Sequence, residues 1–301
     1  MSQPAHQTML LSTGGTLSFV VAGEKSNSAV LLIHGFPSSS RTFRDLIPLL
    51  ADGAFVVAPD MPGFGGSGVL PVPSFQAMTA AIRELLRHLS IGPRFIYLHD
   101  FGAPVGLELA MAEPEQVLGL IVQNANAHHS GFGPAWEATK SFWTKPSKEN
   151  EEQATAHLTY EGIRDQYIAQ VPEGIAAKIG AECWDEDWRV MQLPGRMATQ
   201  RALIADYGNY VSRFDAIADY LKKHQPPSLM IWGRHDSFFD LSETLSWMRE
   251  LPRMEAHILD AGHFVLETAA PTAAQLMIDF IEKNGKHPAR AAGIRSPCVH
   301  Q

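Results

Sequence analysis

The chain has 301 residues, of which 45% are hydrophobic and 19% charged, a composition typical of a soluble globular protein with a large core. Its net charge of −8 gives no reason to expect nucleic acid or an anionic membrane as a partner. No apolar run approaches the roughly 18 residues of a transmembrane helix, and the N-terminal residues lack the pattern of a signal peptide. The two cysteines, Cys183 and Cys298, do not form a disulfide framework. A cytoplasmic protein with reduced thiols is therefore expected.

Short apolar segments alternate with helical patterns along most of the chain. Seven segments predict strands: Thr16–Ala22, Ala29–His34, Ala54–Asp60, Arg94–Asp100, Leu118–Asn124, Ser228–Gly233 and Ala256–Asp260. The last five are nearly unbroken apolar runs, as expected of parallel strands buried on both faces. Helices are predicted at Phe75–Leu89, Val105–Met111 and Ala273–Ile281. The alternation predicts an α/β fold, in which a mostly parallel sheet carries helices on both faces.

One long stretch interrupts this alternation. Between residues 128 and 219 there is no obvious buried strand, but the stretch holds four of the six tryptophans and four of the six tyrosines. It predicts a helical cap inserted into a core made of residues 1–127 and 220–285. The last residues, 286–301, are basic and aperiodic, which is typical of a flexible tail.

A carboxylate occupies the turn where this kind of fold usually places a nucleophile. Asp100 follows the predicted strand in Phe95-Ile96-Tyr97-Leu98-His99-Asp100 and precedes the helical Phe101-Gly102-Ala103 segment. A strand–turn–helix of this type often carries a serine within G-x-S-x-G. A carboxylate with an ordinary pKa of about 3.9 needs no base before it attacks. The presence of Asp100 at this turn therefore predicts that its carboxylate attacks a saturated carbon that carries a leaving group and forms an alkyl ester.

Two further strand ends supply an acid and a histidine. Asp236 follows the strand ending in Trp232-Gly233, and His263 lies just beyond Asp260. The chain order of nucleophile, acid and histidine is that of hydrolases with a nucleophile elbow. Because parallel strands end at one edge of the sheet, the three side chains can converge there. The strand before Asn124 and Asn126 offers no carboxylate, which favours Asp236 as the acid.

An oxyanion hole and several pocket residues complete the predicted site. The backbone N–H groups of Phe36, in His34-Gly35-Phe36-Pro37, and of Phe101 could point at the same carboxylate. The candidate substrate contacts are His34 and the cap aromatics Trp143, Tyr160, Tyr167, Tyr207 and Tyr210. No Cys/His set has metal-ligand spacing, and no phosphate loop or dinucleotide fingerprint is present. The site is therefore expected to act without a metal or cofactor.

These motifs resemble the α/β-hydrolase fold superfamily over about residues 10–285. H-G-F-P, D-M-P-G-F-G-x-S, W-G-R-x-D and A-G-H-F occur in the family's order and spacing, and L-H-D-F-G-A resembles the branch of epoxide hydrolases and haloalkane dehalogenases. Members of that branch usually carry Trp after the nucleophile, whose N–H helps to hold halide, and fluoroacetate dehalogenases carry arginines there. Phe101 and Pro104 offer neither group.

The resemblance implies a two-step hydrolysis of a small, largely apolar substrate. Asp100 forms an alkyl ester, His263 activates the water that hydrolyses it, and Asp236 orients the imidazole. In epoxide opening a cap tyrosine protonates the leaving oxygen, and the sequence does not choose among the four candidates. Epoxide hydrolysis is favoured, hydrolytic dehalogenation of a haloalkane or haloacid is the alternative, and an inert or ligand-binding member of the fold is a third. The sequence gives no prediction of oligomeric state.

Overall fold

The computed structural model describes residues 3–285, which contain one eight-stranded sheet. The strands are β1 (Ala5–Leu10), β2 (Thr16–Ala22), β3 (Ser28–Ile33), β4 (Ala54–Pro59), β5 (Arg94–His99), β6 (Val117–Gln123), β7 (Ser228–Gly233) and β8 (Glu255–Leu259). Their order across the sheet is β1-β2-β4-β3-β5-β6-β7-β8. The β1–β2 and β2–β4 pairs are antiparallel, and every other pair is parallel. The carboxyl ends of β3 to β8 therefore meet at one edge, where a site can form.

The described residues also contain twelve α-helices, some of which pack on the sheet and others on one another. They are α1 (Ile47–Leu50), α2 (Phe75–His88), α3 (Gly102–Ala112), α4 (Glu137–Thr144), α5 (Lys148–Ala154), α6 (Tyr160–Ile168), α7 (Glu173–Ala176), α8 (Glu182–Met191), α9 (Arg196–Val211), α10 (Phe214–His224), α11 (Ser242–Glu250) and α12 (Leu266–Asn284). Two buried clusters flank the sheet: one includes α2 and α3 and extends to α9, and the other includes α1 and α12. None of these helices is both long enough and apolar enough to span a membrane.

The α/β prediction is confirmed, with two differences at the edges of the sheet. The seven predicted strands are present as β2 to β8, but β1 was not predicted. It pairs only with β2 and is almost fully exposed, so its sequence lacks an apolar signature. The prediction that Ala256–Asp260 is buried on both faces is wrong, because β8 is the other edge strand and is partly exposed throughout.

Apart from an isolated β-bridge of Phe132 with Phe239, the regular structure between β6 and β7 is helical. The helices begin with short 3-10 turns after residue 128 and continue through α4 to α10. Helix α10 runs across the predicted cap boundary at residue 219, so a division into core and cap fits better after His224. That division remains our interpretation. The predicted tail, 286–301, and Cys298 lie outside the described residues, whereas Cys183 is a buried free thiol.

Candidate active site

The turn between β5 and α3 presents Asp100 in a left-handed backbone conformation, with φ 49°. Close backbone packing makes this turn possible. A Cβ on Gly35 would lie 2.3 Å from the Asp100 Cβ, and a Cβ on Gly102 would lie 2.4 Å from the Ile33 carbonyl oxygen. Both positions therefore require glycine. The carboxyl group of Asp100 is consequently fixed at the edge of the sheet, at the N-terminal end of α3, with only 6% of the residue exposed.

Backbone amides hold the Asp100 carboxylate from the side of β3. The Phe36 N–H donates to Asp100 Oδ1 at 2.6 Å. Burial raises the pKa of Asp100, while the His263 charge and hydrogen bonds from the Phe36 and Phe101 N–H groups act to lower it. The two N–H groups predicted to form an oxyanion hole thus both contact the Asp100 carboxyl group, and the Phe36 N–H does so at Oδ1.

His263 lies between two carboxylates. Its Nδ1 is 2.9 Å from Asp236 Oδ2, and its Nε2 is 4.0 Å from Asp100 Oδ2. Nε2 has no hydrogen-bond partner among residues 3–285. If Nδ1–H donates to Asp236, Nε2 is the free lone pair that faces the Asp100 carboxyl group. This is the geometry of a general base beside a nucleophile.

Asp236 is fixed by donors from two elements. Its Oδ1 accepts from the Phe238 and Phe239 N–H groups at 2.7 and 3.1 Å, and its Oδ2 accepts from Asn124 Nδ2 at 2.8 Å. The Asn124 side chain also pairs with the Gly233 backbone in both directions, at 2.8 and 3.1 Å. Asn124, which directly follows β6, therefore binds both the end of β7 and the Asp236 carboxylate. That carboxylate in turn contacts His263.

The charge of Asp236 sets the protonation of His263. Burial acts to lower the pKa of His263, but the charge and hydrogen bond of Asp236, together with the charge of Asp100, outweigh it, so that the pKa is raised above its ordinary value. Behind it, His99 is fully buried with its ring centroid 4.7 Å from that of His263. Burial, followed by the neighbouring His263, holds the pKa of His99 well below its usual range. The neutral imidazole of His99 thus packs against the imidazole of His263, which binds a proton more readily than an ordinary histidine.

We expect Asp236→Asn to change both the rate of the base-dependent step and its pH profile. The neutral base form of His263 exists only above its pKa, so the rate of that step should rise with pH through a midpoint above about 6.5. In Asp236→Asn the raising charge is lost, and the midpoint should move to lower pH. The maximal rate should fall, by up to about 10⁴-fold, because the imidazole is no longer held in the correct tautomer. Stopped-flow rates between pH 5 and 9 test both effects, and an unchanged midpoint would contradict this assignment of the acid.

A cavity of about 140 Å³ is lined in part by Asp100. Its apolar walls come from Phe36, Phe101, Ala135, Trp136, Ile204, Tyr207 and Phe238. The polar groups besides Asp100 are Thr139, His157 and Gln166. A nucleophile at the end of a small, mostly aromatic cavity suits a small and largely apolar substrate.

Comparison with known proteins places this geometry in a family. Residues 28–164 match the model of the alpha/beta hydrolase fold. An uncharacterized hydrolase of Saccharomyces cerevisiae is 31% identical over 271 residues, which cover 87% of this chain and 92% of the yeast protein. The chain belongs to the α/β-hydrolase fold family.

Other relatives of this α/β-hydrolase carry more specific names. A fluoroacetate dehalogenase of Burkholderia is 27% identical over 291 residues, which cover 90% of this chain and 93% of that protein. The solved structure of the epoxide hydrolase CorEH matches with a TM-score of 0.74 and 22% identity, over 93% of this chain and 99% of that one. At that identity the solved structure supports the fold alone.

The α/β-hydrolase core holds His34 away from the cavity. His34 is fully buried, its Nε2 accepts from the Met61 N–H at 2.9 Å, and its Nδ1 lies 2.9 Å from the Gly35 carbonyl oxygen. Both ring nitrogens are therefore occupied by backbone groups. Burial lowers the pKa of this imidazole. His34 thus braces the loops after β3 and β4 and does not line the cavity.

The predicted cap aromatics occupy different places in this α/β-hydrolase. Tyr160 is 37% exposed and donates to Asp185 at 2.7 Å. Tyr167 is buried, bonds to Asp187 and stacks on Phe264 with ring centroids 4.1 Å apart. The indole N–H of Trp143 donates to the Ile204 carbonyl at 2.8 Å. Of the five cap aromatics that the sequence predicted as substrate contacts, Tyr207 alone lines the cavity.

His157 and Gln166 also line the cavity, although neither is among the site residues predicted from the sequence. Burial lowers the pKa of His157 to about 4, so its imidazole is neutral at physiological pH. Gln166 is 7% exposed and lies beside Tyr167 on α6. A polar residue on the buried face of a cap helix was the available signal, but sequence alone does not say which face of that helix meets the nucleophile. No group of three or more potential metal ligands occurs within residues 3–285.

Proposed function

We propose that this α/β-hydrolase hydrolyses small epoxides through a covalent ester on Asp100. The observation that carries the proposal is the arrangement of His263 Nε2, 4.0 Å from Asp100 Oδ2, on the opposite side of the carboxyl group from the Phe36 N–H, which binds Oδ1 at 2.6 Å. Oδ2 is then the oxygen that attacks carbon. Oδ1 becomes the ester carbonyl oxygen and already lies against its oxyanion donor.

The two half-reactions use different groups. In the first, a bond forms between Asp100 Oδ2 and an epoxide carbon, the C–O bond breaks, and the leaving oxygen takes a proton from the enzyme. In the second, water attacks the ester carbonyl carbon and passes a proton to His263 Nε2, while Oδ1 carries the negative charge. Collapse breaks the Cγ–O bond, and the alkoxide takes the proton from His263. The diol leaves with one oxygen that came from Asp100.

The hydrogen bonding of the tryptophans supports an epoxide over a halide. The indole N–H of Trp136, in the cavity wall, donates to the Phe238 carbonyl at 2.9 Å, and that of Trp143 is also used by a backbone carbonyl. Phe101 follows the nucleophile where an indole would be needed. A departing halide would therefore carry its charge into an apolar cavity without these donors, which is costly. No arginine or lysine lines the described cavity, so a haloacid carboxylate also lacks a cationic partner there.

Tyr207 is the tyrosine best placed to protonate the leaving oxygen. Its ring lines the cavity with Asp100 and lies 5.5 Å from the Phe101 ring, centroid to centroid. Burial raises the pKa of Tyr207 well above its ordinary value, and the Asp100 charge adds to this rise. The phenol is therefore protonated at neutral pH and can serve as a donor.

We expect Tyr207→Phe to lower epoxide turnover by about 10²–10⁴-fold, the usual contribution of a general acid. Tyr210→Phe is the matched control, because Tyr210 lies one turn away on α9 but does not line the cavity. The measurement is kcat/KM with a small epoxide. Full activity in Tyr207→Phe would remove Tyr207 from the mechanism, and loss on Gln166→Leu instead would assign the donor role to that amide.

A turnover assay on matched substrates separates the candidate functions. Small terminal epoxides and bromoalkanes of the same chain length should be offered in parallel, together with fluoroacetate, the substrate named for the Burkholderia relative. Diol formation without halide release supports the proposal. Halide release with inert epoxides would favour a dehalogenase, and no turnover across all three classes would favour an inert or ligand-binding member of the fold.

A further inference from the structure

Two tyrosines of α9 converge on one buried residue, Asn126, in the loop that follows β6. Tyr207 donates to Asn126 Oδ1, and Tyr210 donates to the Asn126 carbonyl oxygen at 2.5 Å. Asn126 is fully buried. Asn126 therefore provides a polar contact that holds Tyr207, the tyrosine of the cavity wall, against the loop after β6.

The amide of Asn126 has an unused donor. Its Nδ2 is buried and has no acceptor in the part of the chain that the structure describes. A buried N–H without a partner destabilises the fold more than a carbonyl oxygen that lacks a second hydrogen bond. Rotation of the amide by 180° exchanges the two atoms. Nδ2 would then donate to the Tyr207 oxygen, and the phenol proton would be free for another acceptor.

We propose that Asn126 is a positioning residue that controls proton donation by Tyr207, an inference that rests on the proposed epoxide hydrolysis. With Oδ1 toward Tyr207, the amide holds the phenol proton. With Nδ2 toward Tyr207, the phenol gives its proton to the leaving oxygen as the Asp100–carbon bond forms, and Nδ2 stabilises the phenolate that remains. The proton returns to the phenolate when ester hydrolysis leaves Asp100 as a carboxylic acid. An amide can serve both states because it carries a donor and an acceptor.

The rate of ester formation, measured in a variant that cannot hydrolyse the ester, tests this role in the first half-reaction. In a His263→Gln background, the rate of ester formation on Asp100 is followed by intact mass after mixing with a small epoxide. Asn126→Asp in this background should slow ester formation at least about tenfold above neutral pH, because a carboxylate accepts from Tyr207 but cannot donate. Tyr210→Phe, which removes the other tyrosine contact of Asn126, should leave the rate within about twofold.

Recovery at low pH distinguishes donation from a structural defect. The new carboxyl group would lie among Tyr207, Tyr210 and Glu243, whose carboxyl carbon is close to the same turn. When protonated, it can donate as the amide does. As the pH falls, the rate of ester formation in the double variant should therefore rise relative to the rate in His263→Gln alone. A rate equal to the parental rate at every pH, or a loss that no pH restores, would overturn the role.

A second measurement needs no substrate, and it tests the contact between Asn126 and Tyr207 even if epoxides are inert. With 3,5-difluorotyrosine at position 207, ionisation of the phenol is followed by absorbance. Asn126→Leu removes the Nδ2 donor without adding charge, and it should raise the ionisation midpoint by at least about one unit, whereas Tyr210→Phe should not. An unchanged midpoint in Asn126→Leu overturns the inference. An inert epoxide panel with a shifted midpoint overturns the proposed function alone.

Discussion

Asp100→Asn is expected to abolish turnover while leaving the protein at least as stable as the parent. The amide keeps the shape of the carboxyl group and can still accept from the Phe36 N–H, but it cannot attack carbon. Loss of a nucleophile typically costs on the order of 10⁶ in kcat. Asp100→Ala should be equally inactive. It is the control for slow hydrolysis of the new asparagine amide back to a carboxylate, which alanine cannot undergo.

The stability of this variant follows from the raised pKa of Asp100. A buried carboxyl group whose pKa is higher in the folded than in the unfolded state destabilises the fold once the pH rises above its unfolded pKa. Removing the ionisable group removes that cost. Thermal unfolding at pH 7.5 should therefore give a Tm for Asp100→Asn equal to or above that of the parent, and a large drop would mean that the carboxylate is mainly structural.

Heavy-oxygen water identifies the nucleophile directly. In a single turnover with enzyme in excess, the diol should carry no solvent label, because its new oxygen comes from Asp100. The label should instead appear in the peptide that contains Asp100, and reach the diol only in later turnovers. Labelled diol in the first turnover would show that water attacks the substrate directly, and would refute the ester.

His263→Gln is expected to separate the two half-reactions. Asp100 needs no base to attack carbon, but hydrolysis of the ester requires an activated water. The variant should add one substrate mass to the peptide containing Asp100, and steady-state turnover should fall by about 10²–10⁴-fold, the usual contribution of a general base. Intact mass spectrometry after mixing with a small epoxide measures the adduct.

A second histidine variant is the control for this experiment. His235→Gln removes an imidazole near the same edge of the sheet that pairs with Asp260 at 2.8 Å and is not part of the cavity lining. It should turn over normally and accumulate no adduct. If His263→Gln accumulates none while the parent turns over the same epoxide, the division of roles between Asp100 and His263 is wrong.

Most of the fold could be predicted because buried parallel strands leave a strong signature. Strands β2 to β7 are apolar and flanked by turn residues, so their approximate positions follow from composition. The same logic failed at the edges of the sheet. An exposed strand such as β1 carries no apolar pattern, and β8 has enough apolar residues to resemble a buried strand although it has a neighbour on one side only.

The candidate triad could be located from sequence because its residues follow three strand ends, whereas the cavity could not. Asp100, Asp236 and His263 each follow a strand of one sheet, and strand order restricts where they meet. Gln166 reaches the cavity from helix α6 and His157 from the turn between α5 and α6, and the placement of both depends on contacts distant in sequence. The role of Asn126 was also hidden, because its partners Tyr207 and Tyr210 are 81 and 84 positions away.

In the proposed mechanism, the 4.0 Å separation between His263 Nε2 and Asp100 Oδ2 would couple the protonation of His263 to the state of Asp100. While Asp100 is ionised, its charge helps to keep His263 protonated. Ester formation neutralises that oxygen, so one of the two attractions on the imidazolium disappears and the proton is released more easily. An enzyme alkylated at Asp100 would therefore hold a larger fraction of neutral His263 than the free enzyme does at the same pH. Attachment of the substrate to Asp100 would in this way favour the neutral form of His263 that the later hydrolysis of the ester requires.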